Sequence, residues 1–390
     1  VVKIPEVNMM QNIYRVKAVI DLDAIYENAI NAKKLLKPGV KFLSIVKADG
    51  YGHGACAVAD TVDEISDFYG VAVIEEGIAL REHGIKKPIL ILGYTPEPLY
   101  PEMIENDLRT TVFTYEMAES ISRCAVKMDR TAKIHIAVDT GMGRIGFFPD
   151  EEAADIVKKI SELDNIEIEG MFTHFATMDD EDKTKADIQY RRYMQFVSYL
   201  NDRSVNIPIK HISNSAAITE RPEYNLDMVR DGICLYGMYP SDHVRKDLLP
   251  LKPAMSIKAY VAFVKTMPAG ETIGYGGTYK CTRPTRIATV PVGYADGYPR
   301  ALSNKADVII HGKRVPIVGR ICMDQFMVDV SAVDDIKVGD QVTLMGRDGD
   351  EEITVEELSG MEDSFNYEFV CDVGKRVPRE YIRHGKVCRV

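Results

Sequence analysis

Nowhere do the 390 residues run for the roughly 18 uncharged apolar positions that a membrane-spanning helix needs. The opening stretch, VVKIPEVNMMQN, sets Pro5 and Asn8 where a secretion signal carries its apolar core, so none is expected. Cysteines number seven (Cys56, Cys124, Cys234, Cys281, Cys322, Cys371 and Cys388), an odd count with no C-x-x-C pair. That scatter fits reduced thiols better than a disulfide frame or a zinc site. The eight histidines are equally dispersed and form no H-E-x-x-H, so no metal site is expected. Basic charge is short as well. With 48 Lys+Arg against 59 Asp+Glu the formal charge is −11, which argues against non-specific binding to nucleic acid. A small phosphorylated cofactor stays possible, because a local nest of N–H groups suffices to hold it. These absences together predict a cytoplasmic protein.

What is present reads as two folded domains. A hydrophobic share of 46% excludes disorder, and the length suits about two domains. From residue 40 to 240, β-type runs alternate with helical ones. The strand candidates are 41–48, 69–74, 88–93, 109–113, 132–139, 168–176, 210–215 and 227–237. Between them lie helical patterns over Tyr115–Met128, Asp150–Leu163 and Thr184–Leu200, with an earlier helix from Leu22 to Leu36. Asp150 has the character of an N-cap. An open doubly wound sheet uses the same units, but eight strands alternating with helices are what a (β/α)8 TIM-type barrel requires. After residue 250 prolines, glycines and short strand runs dominate, and only 353–360 reads as a helix. The expectation is a barrel over 14–250 and a smaller, mostly β domain over 251–390, with the extreme N-terminus a candidate to pack on the latter.

In either fold, function collects at the C-terminal ends of the strands. Lys47 ends the first, in VKADGYGHG; a strand-end lysine is commonly solvated, but a buried one makes a Schiff-base candidate. Gly141–Gly146 matches G-x-G-x-x-G, yet it follows the fifth strand and opens no helix directly, which argues against a dinucleotide site. Arg144 inside that loop is suited to hold a carboxylate. His174, His211, Ser215 and Arg230 fall in the sixth, seventh and eighth strand segments. Singly each reads as a structural residue; together they converge on one end of a barrel.

Taken in order, KADGYGHG, GMGRIG, THFA, NSAA, VRDGICLYG, IGYGGTY, GYADGY, GRICMDQ and NYE resemble the alanine racemases of bacteria. The resemblance spans residues 47 to 368. It implies a pyridoxal 5′-phosphate (PLP) cofactor, a cytoplasmic head-to-tail homodimer whose sites use both chains, and supply of D-alanine to the cell-wall peptidoglycan. By motif, Lys47 resembles the lysine bonded to the cofactor, and Tyr275 the second base, delivered by the partner subunit. Inverting Cα takes a proton from one face and returns one to the other, so two bases are wanted. Arg230 resembles the arginine facing the pyridine nitrogen, and a guanidinium does not readily give up its proton to that atom. His211 and Asp324 resemble the residues that hold Arg230, and His174 the histidine linked to Tyr275. Tyr51, Ser215, Gly232, Ile233 and Tyr367 resemble phosphate-binding positions. Arg144 and Met323 resemble substrate-carboxylate contacts, while Tyr294 and Phe365 fall where the family lines its access corridor.

The pattern departs from the family at two places. Ala137 stands where many members carry a carbamylated lysine that braces the arginine corresponding to Arg144, so a bound anion such as chloride is expected to brace it instead. Gly50 stands where alanine is usual. Tyr367 favours alanine over serine as substrate, although a serine or broad-specificity racemase uses the same catalytic pair. A PLP-dependent decarboxylase shares the architecture, but it would want a glycine run late in the barrel and an adjacent Cys-Asp pair. Here Met323 separates Cys322 from Asp324. A non-catalytic PLP carrier would need neither Tyr275 nor the β domain.

Overall fold

The structure, a computed structural model, describes residues 15–388, so the expectations for VVKIPEVNMMQN and the extreme N-terminus lie outside the described residues. The chain forms two compact units. One comprises Leu22–Ala254; the other joins the described residues 15–21, with their strand β1 (Val16–Asp21), to residues 255–388.

The first unit is the expected barrel. Its strands are β2 (Lys41–Ile45), β3 (Phe68–Val71), β4 (Ile89–Ile91), β5 (Leu108–Val112), β6 (Ala132–Ala137), β7 (Ile166–Phe172), β8 (Ile209–His211) and β9 (Met228–Asp231). All pair in parallel, in the spatial order β8-β7-β6-β5-β4-β3-β2-β9. Between β9 and β8, Arg230 N donates to Ser213 O at 3.0 Å and Asp227 N to Lys210 O at 3.1 Å, which draws the ends of the sheet together. Strands such as FYGV are buried at every position, as a sheet covered on both faces requires. The helices Tyr115–Lys127, Glu151–Ile160 and Thr184–Asp202 lie where the periodicity places them. The Asp150 carboxylate caps the second of these by accepting from Ala153 N at 2.8 Å.

The barrel interior is unusually polar. His135 on β6 and Glu169 on β7 are buried inside it, and Gly170 makes the room. A Cβ at Gly170 would stand 2.4 Å from the His135 ring. Parallel register sets Leu43 beside Arg230 and Ser44 beside Asp231, so the end of β9 lies level with the end of β2 and with Lys47.

In the second unit β1 pairs antiparallel with β10 (Met255–Tyr260) and parallel with Arg379–Arg383, inside an eight-stranded sheet. β10 ends at Tyr260, and a second strand, Phe263–Met267, joins a separate three-stranded sheet with Thr285–Val290 and Phe326–Asp329. Beside it, Ile273, Cys281, Ile287 and Val318 form a small core that anchors the loop carrying Tyr275. Helix Val355–Met361 matches the expected one; a further helix, Asn366–Asp372, was not expected.

Candidate active site

The chain leaves β2 through a left-handed turn. Ala48, Asp49, Gly50 and Tyr51 all have φ between 50° and 62°. Successive non-glycine residues there are strained, at about 1–2 kcal/mol each, and the turn is braced from several sides. Glu76 Oε1 accepts from Ala48 N at 2.6 Å, Asp49 Oδ1 accepts from Ala55 N at 2.9 Å, and Gly50 N donates to Val46 O at 2.9 Å. The turn leaves Lys47 half-buried, with Nζ 5.9 Å from the centre of the Tyr51 ring.

Tyr51 is itself buried, packed at a tilt on Tyr236 with ring centres 4.9 Å apart, and the Tyr236 hydroxyl donates to Ile45 O. This aims the Tyr51 hydroxyl at Gly232, where a Cβ would stand only 3.0 Å from it. Gly232 N donates to Ser215 Oγ at 2.9 Å. At Gly232 the backbone turns (φ −121°, ψ −93°) into a short 3-10 turn, Ile233–Tyr236. The expected strand 227–237 consequently stops at Asp231. Tyr51, Ser215, Gly232 and Ile233 are thus brought to one end of the barrel, with the buried Asp231 carboxylate accepting from Ser215 behind them.

Arg230 is 4% exposed and spends its donors on the barrel. Nη1 donates to His211 Nδ1 and His211 O at 3.0 Å each; Nη2 donates to Thr173 O at 2.8 Å and Ile212 O at 3.1 Å, and lies 3.2 Å from His174 Nδ1. A guanidinium has only donors, so His211 Nδ1 must accept and its proton sits on Nε2. That proton is donated to His135 Nδ1 at 2.9 Å, and His135 Nε2 donates in turn to Glu169 Oε2 at 3.2 Å. Arg109 closes the line with Nε at 3.1 Å from the same oxygen. Every direction in the chain Arg230–His211–His135–Glu169–Arg109 is set by these two guanidinium ends.

The electrostatics agree with that assignment. Burial, followed by the charge of Arg230, holds the His211 imidazolium well below its ordinary range, and burial also lowers His135. Glu169 stays ionised, held down at about 2 against burial by His135 and Arg109. Burial lowers Arg230 to about 10, which leaves it charged at neutral pH. His174 is lowered well below its ordinary range by burial and then by Arg230, Arg144 and Lys47. The three cations therefore share one neighbourhood, suited to an anionic guest.

In the loop after β6, Asp139 Oδ1 accepts from Gly141 N and Gly143 N at 3.0 Å each, which shapes the turn that exposes Arg144. Ala137 is buried.

The remaining candidates lie on the second unit. Tyr275 is 71% exposed on a loop whose Gly274 and Gly276 both have φ of 72° and pack against Arg320. Gly293 lets that segment meet the Cys322–Met323 backbone, and Tyr294 N donates to Cys322 O at 3.2 Å. Tyr294 and Met323 are accordingly neighbours, both exposed. Phe365 and Tyr367 have ring centres 5.2 Å apart. Asp324 accepts from Arg376 Nη2 at 2.8 Å, within its own unit. Arg376 also faces the buried Asp296, which is paired with Arg15.

Sequence reasoning missed His135, Glu169 and Asp231. The first two carried a usable signal, as polar residues inside runs (AKIHIA, IEIEGMF) that must be buried in a barrel.

Residues 20–240 match the family profile of the alanine racemase N-terminal domain, and residues 254–381 that of the C-terminal domain. The alanine racemase of Clostridium tetani is 46% identical over 97% of this chain and 98% of its own length. That of Methanococcus maripaludis is also 46% identical, over 94% and 98%. Among solved structures, alanine racemase from Clostridium difficile 630 superposes with a TM-score of 0.94 at 42% identity, covering 97% of this chain and 98% of that one. The Bacillus anthracis enzyme, solved with bound L-Ala-P, gives 0.91 at 37% identity, with 97% of each chain covered. Sequence, domain order and fold agree along nearly the whole length: this chain belongs to the alanine racemase family.

Proposed function

We propose that the protein interconverts L- and D-alanine with PLP, using Lys47 on one face of the substrate and Tyr275 of the partner subunit on the other. The observation that carries the reading is the convergence of an amine, a donor cradle and a fixed guanidinium at one barrel end. The residues suit the cofactor: Gly232 leaves open the space that a Cβ would fill beside the Tyr51 hydroxyl, and donors surround that space. Tyr51, Ser215 and the Ile233 N–H would hold the phosphate against the Gly232 backbone, with Tyr367 as a further donor. When bound, PLP supplies an electron sink for the pair left on Cα as its proton departs.

The chain's own residues do the rest. Arg230, charged and locked by His211, Thr173 and Ile212, would face the ring nitrogen without giving it a proton. Arg144 and the Met323 backbone would hold the substrate carboxylate, with Arg144 braced by an anion such as chloride in place of a lysine at 137. Lys47 and Tyr275 would each remove or return the Cα proton from opposite sides. His174, kept neutral by burial and then by its cationic neighbours, turns Nδ1 to Arg230, so its proton sits on Nε2 and would be donated to the Tyr275 oxygen. Tyr294 and Phe365 would line the approach. Such sites need two chains, hence a homodimer.

The test is to incubate the protein with L-alanine in heavy water and follow optical rotation, Cα deuterium and carbon dioxide. Loss of rotation with deuterium uptake and no gas is expected. Carbon dioxide release would replace the reading with decarboxylation. Repeating the assay with L-serine measures how narrow the substrate range is; alanine is expected to be the faster substrate.

A further inference from the structure

Asp231 is a buried acid that the proposed chemistry does not use. It follows Arg230 on β9 and is fully buried, its side chain on the opposite face of the strand from Arg230. Oδ1 accepts from Ser215 Oγ at 2.8 Å, while Oδ2, equally buried, has no hydrogen-bond partner among the described residues. The groups beside it are Ser44, alongside on β2, Ser215, the Gly232 N–H and the Cys234 thiol. None of these carries a positive charge. Burial pushes the carboxyl up to about 7, even though Ser215 and the Gly232 N–H favour the anion. Its charge and burial in turn push the Cys234 thiol up.

Proton counting gives this arrangement a consequence. A serine hydroxyl has one proton, and that of Ser215 is committed to Asp231 Oδ1. The Gly232 N–H occupies one lone pair of the same Oγ. Phosphate oxygens accept hydrogen bonds, so Ser215 can serve a phosphate only by turning its proton away from Asp231. Oγ and Oδ1, 2.8 Å apart, would then be two acceptors face to face. A proton on Asp231, donated back to Oγ, removes the conflict and also the repulsion between a buried carboxylate and the incoming charge.

We propose that Asp231 is a positioning residue that takes up one proton from water when a phosphate group enters the Ser215–Gly232 cradle. Phosphate binding and protonation of Asp231 are then a single event, and no other bond changes. The inference rests on the reading of that cradle as the cofactor's phosphate site. Its sign is defined: the protonated form binds, so affinity falls as pH rises above neutrality, by about tenfold per pH unit for one proton.

The experiment uses the full-length protein stripped of cofactor, with inorganic phosphate as the probe because it cannot react with Lys47. Calorimetry at pH 8, in two buffers of different ionisation enthalpy, counts the protons taken up. About one per site is expected for the wild type and about none for Asp231→Asn. Between pH 8 and 9 phosphate affinity should drop about tenfold in the wild type and less than about twofold in the variant. Infrared difference spectra of the wild type alone should gain a protonated-carboxyl band on phosphate binding, which keeps the test intact if the variant does not fold. Binding without proton uptake, or equal uptake by both proteins, overturns the role of Asp231 and leaves the cradle standing. Failure of phosphate to bind at any pH removes the cofactor reading and this inference with it.

Discussion

Most candidate groups of the barrel unit are kept out of water, Arg144 being exposed and Lys47 half-buried, whereas several of those on the β unit are exposed. Arg230, Ser215 and Tyr51 are 4%, 6% and 7% exposed, against 71%, 56% and 52% for Tyr275, Phe365 and Met323. A buried polar group has to be hydrogen-bonded, and each bond fixes its position. The barrel groups are therefore pre-organised within one chain. An exposed tyrosine contributes little to the fold that carries it, which leaves it available to a second chain. The contrast is what a site divided between two subunits needs.

The sharpest way to break that comparison is to mix Lys47→Ala with Tyr275→Ala subunits by co-expression. Each homodimer should lose at least about 10²- to 10⁴-fold in racemisation. Random pairing should restore about a quarter of the wild-type activity, because half the dimers then contain one intact site. Absence of recovery would mean that both groups serve the same chain's site.

Stability separates the units next. Arg230→Met should destabilise the protein by about 3–5 kcal/mol in urea unfolding, since it strands His211 and three carbonyl groups in the interior. Tyr275→Ala should change stability by less than about 0.5 kcal/mol, as an exposed side chain does. It should keep its cofactor absorbance while losing turnover. Equal destabilisation by the two would erase the distinction.

The buried line behind Arg230 has its own pH signature. The folded-state pKa of Glu169, about 2, lies below its unfolded value. Its stabilisation is therefore complete above about pH 4.5 and is lost as pH falls from there towards 2, by up to about 3 kcal/mol. Glu169→Gln should flatten that part of the stability–pH curve while remaining folded at pH 7; an unchanged curve would sink the assignment. The smallest effect is expected in the turn after Lys47. Gly50 has φ of +62°, and an added Cβ would lie 3.2 Å from Ala55 N. Gly50→Ala should cost about 1 kcal/mol, read as a shift of about 2–4 °C in Tm.

Much of the architecture was legible because a covered parallel strand and an amphipathic helix each write a period into the sequence. Helix Tyr115–Lys127 and strand β2, which ends two residues before Lys47, are cases in point. Strand β1 was not legible: VKAVID finds its partners more than 230 residues away, at Met255–Tyr260 and Arg379–Arg383. Helix Asn366–Asp372 was hidden by its β-branched and aromatic content, and in the fold a close approach of Gly297 to Asp372 O accompanies it. The strand expected over 227–237 ran too long because local propensity carries no information about the turn at Gly232.

The sequence by itself determined the barrel, the β-rich second half, the family and the residue types at the strand ends, since these follow from periodicity and from motifs in a set order. Tertiary structure alone decided which groups are paired. It gave Asp324 to Arg376, drew His135 and Glu169 into line behind Arg230, and set Asp231 against Ser215. Hydrogen bonds and charge burial depend on distances of a few ångströms between segments remote in the chain, and no local pattern encodes those.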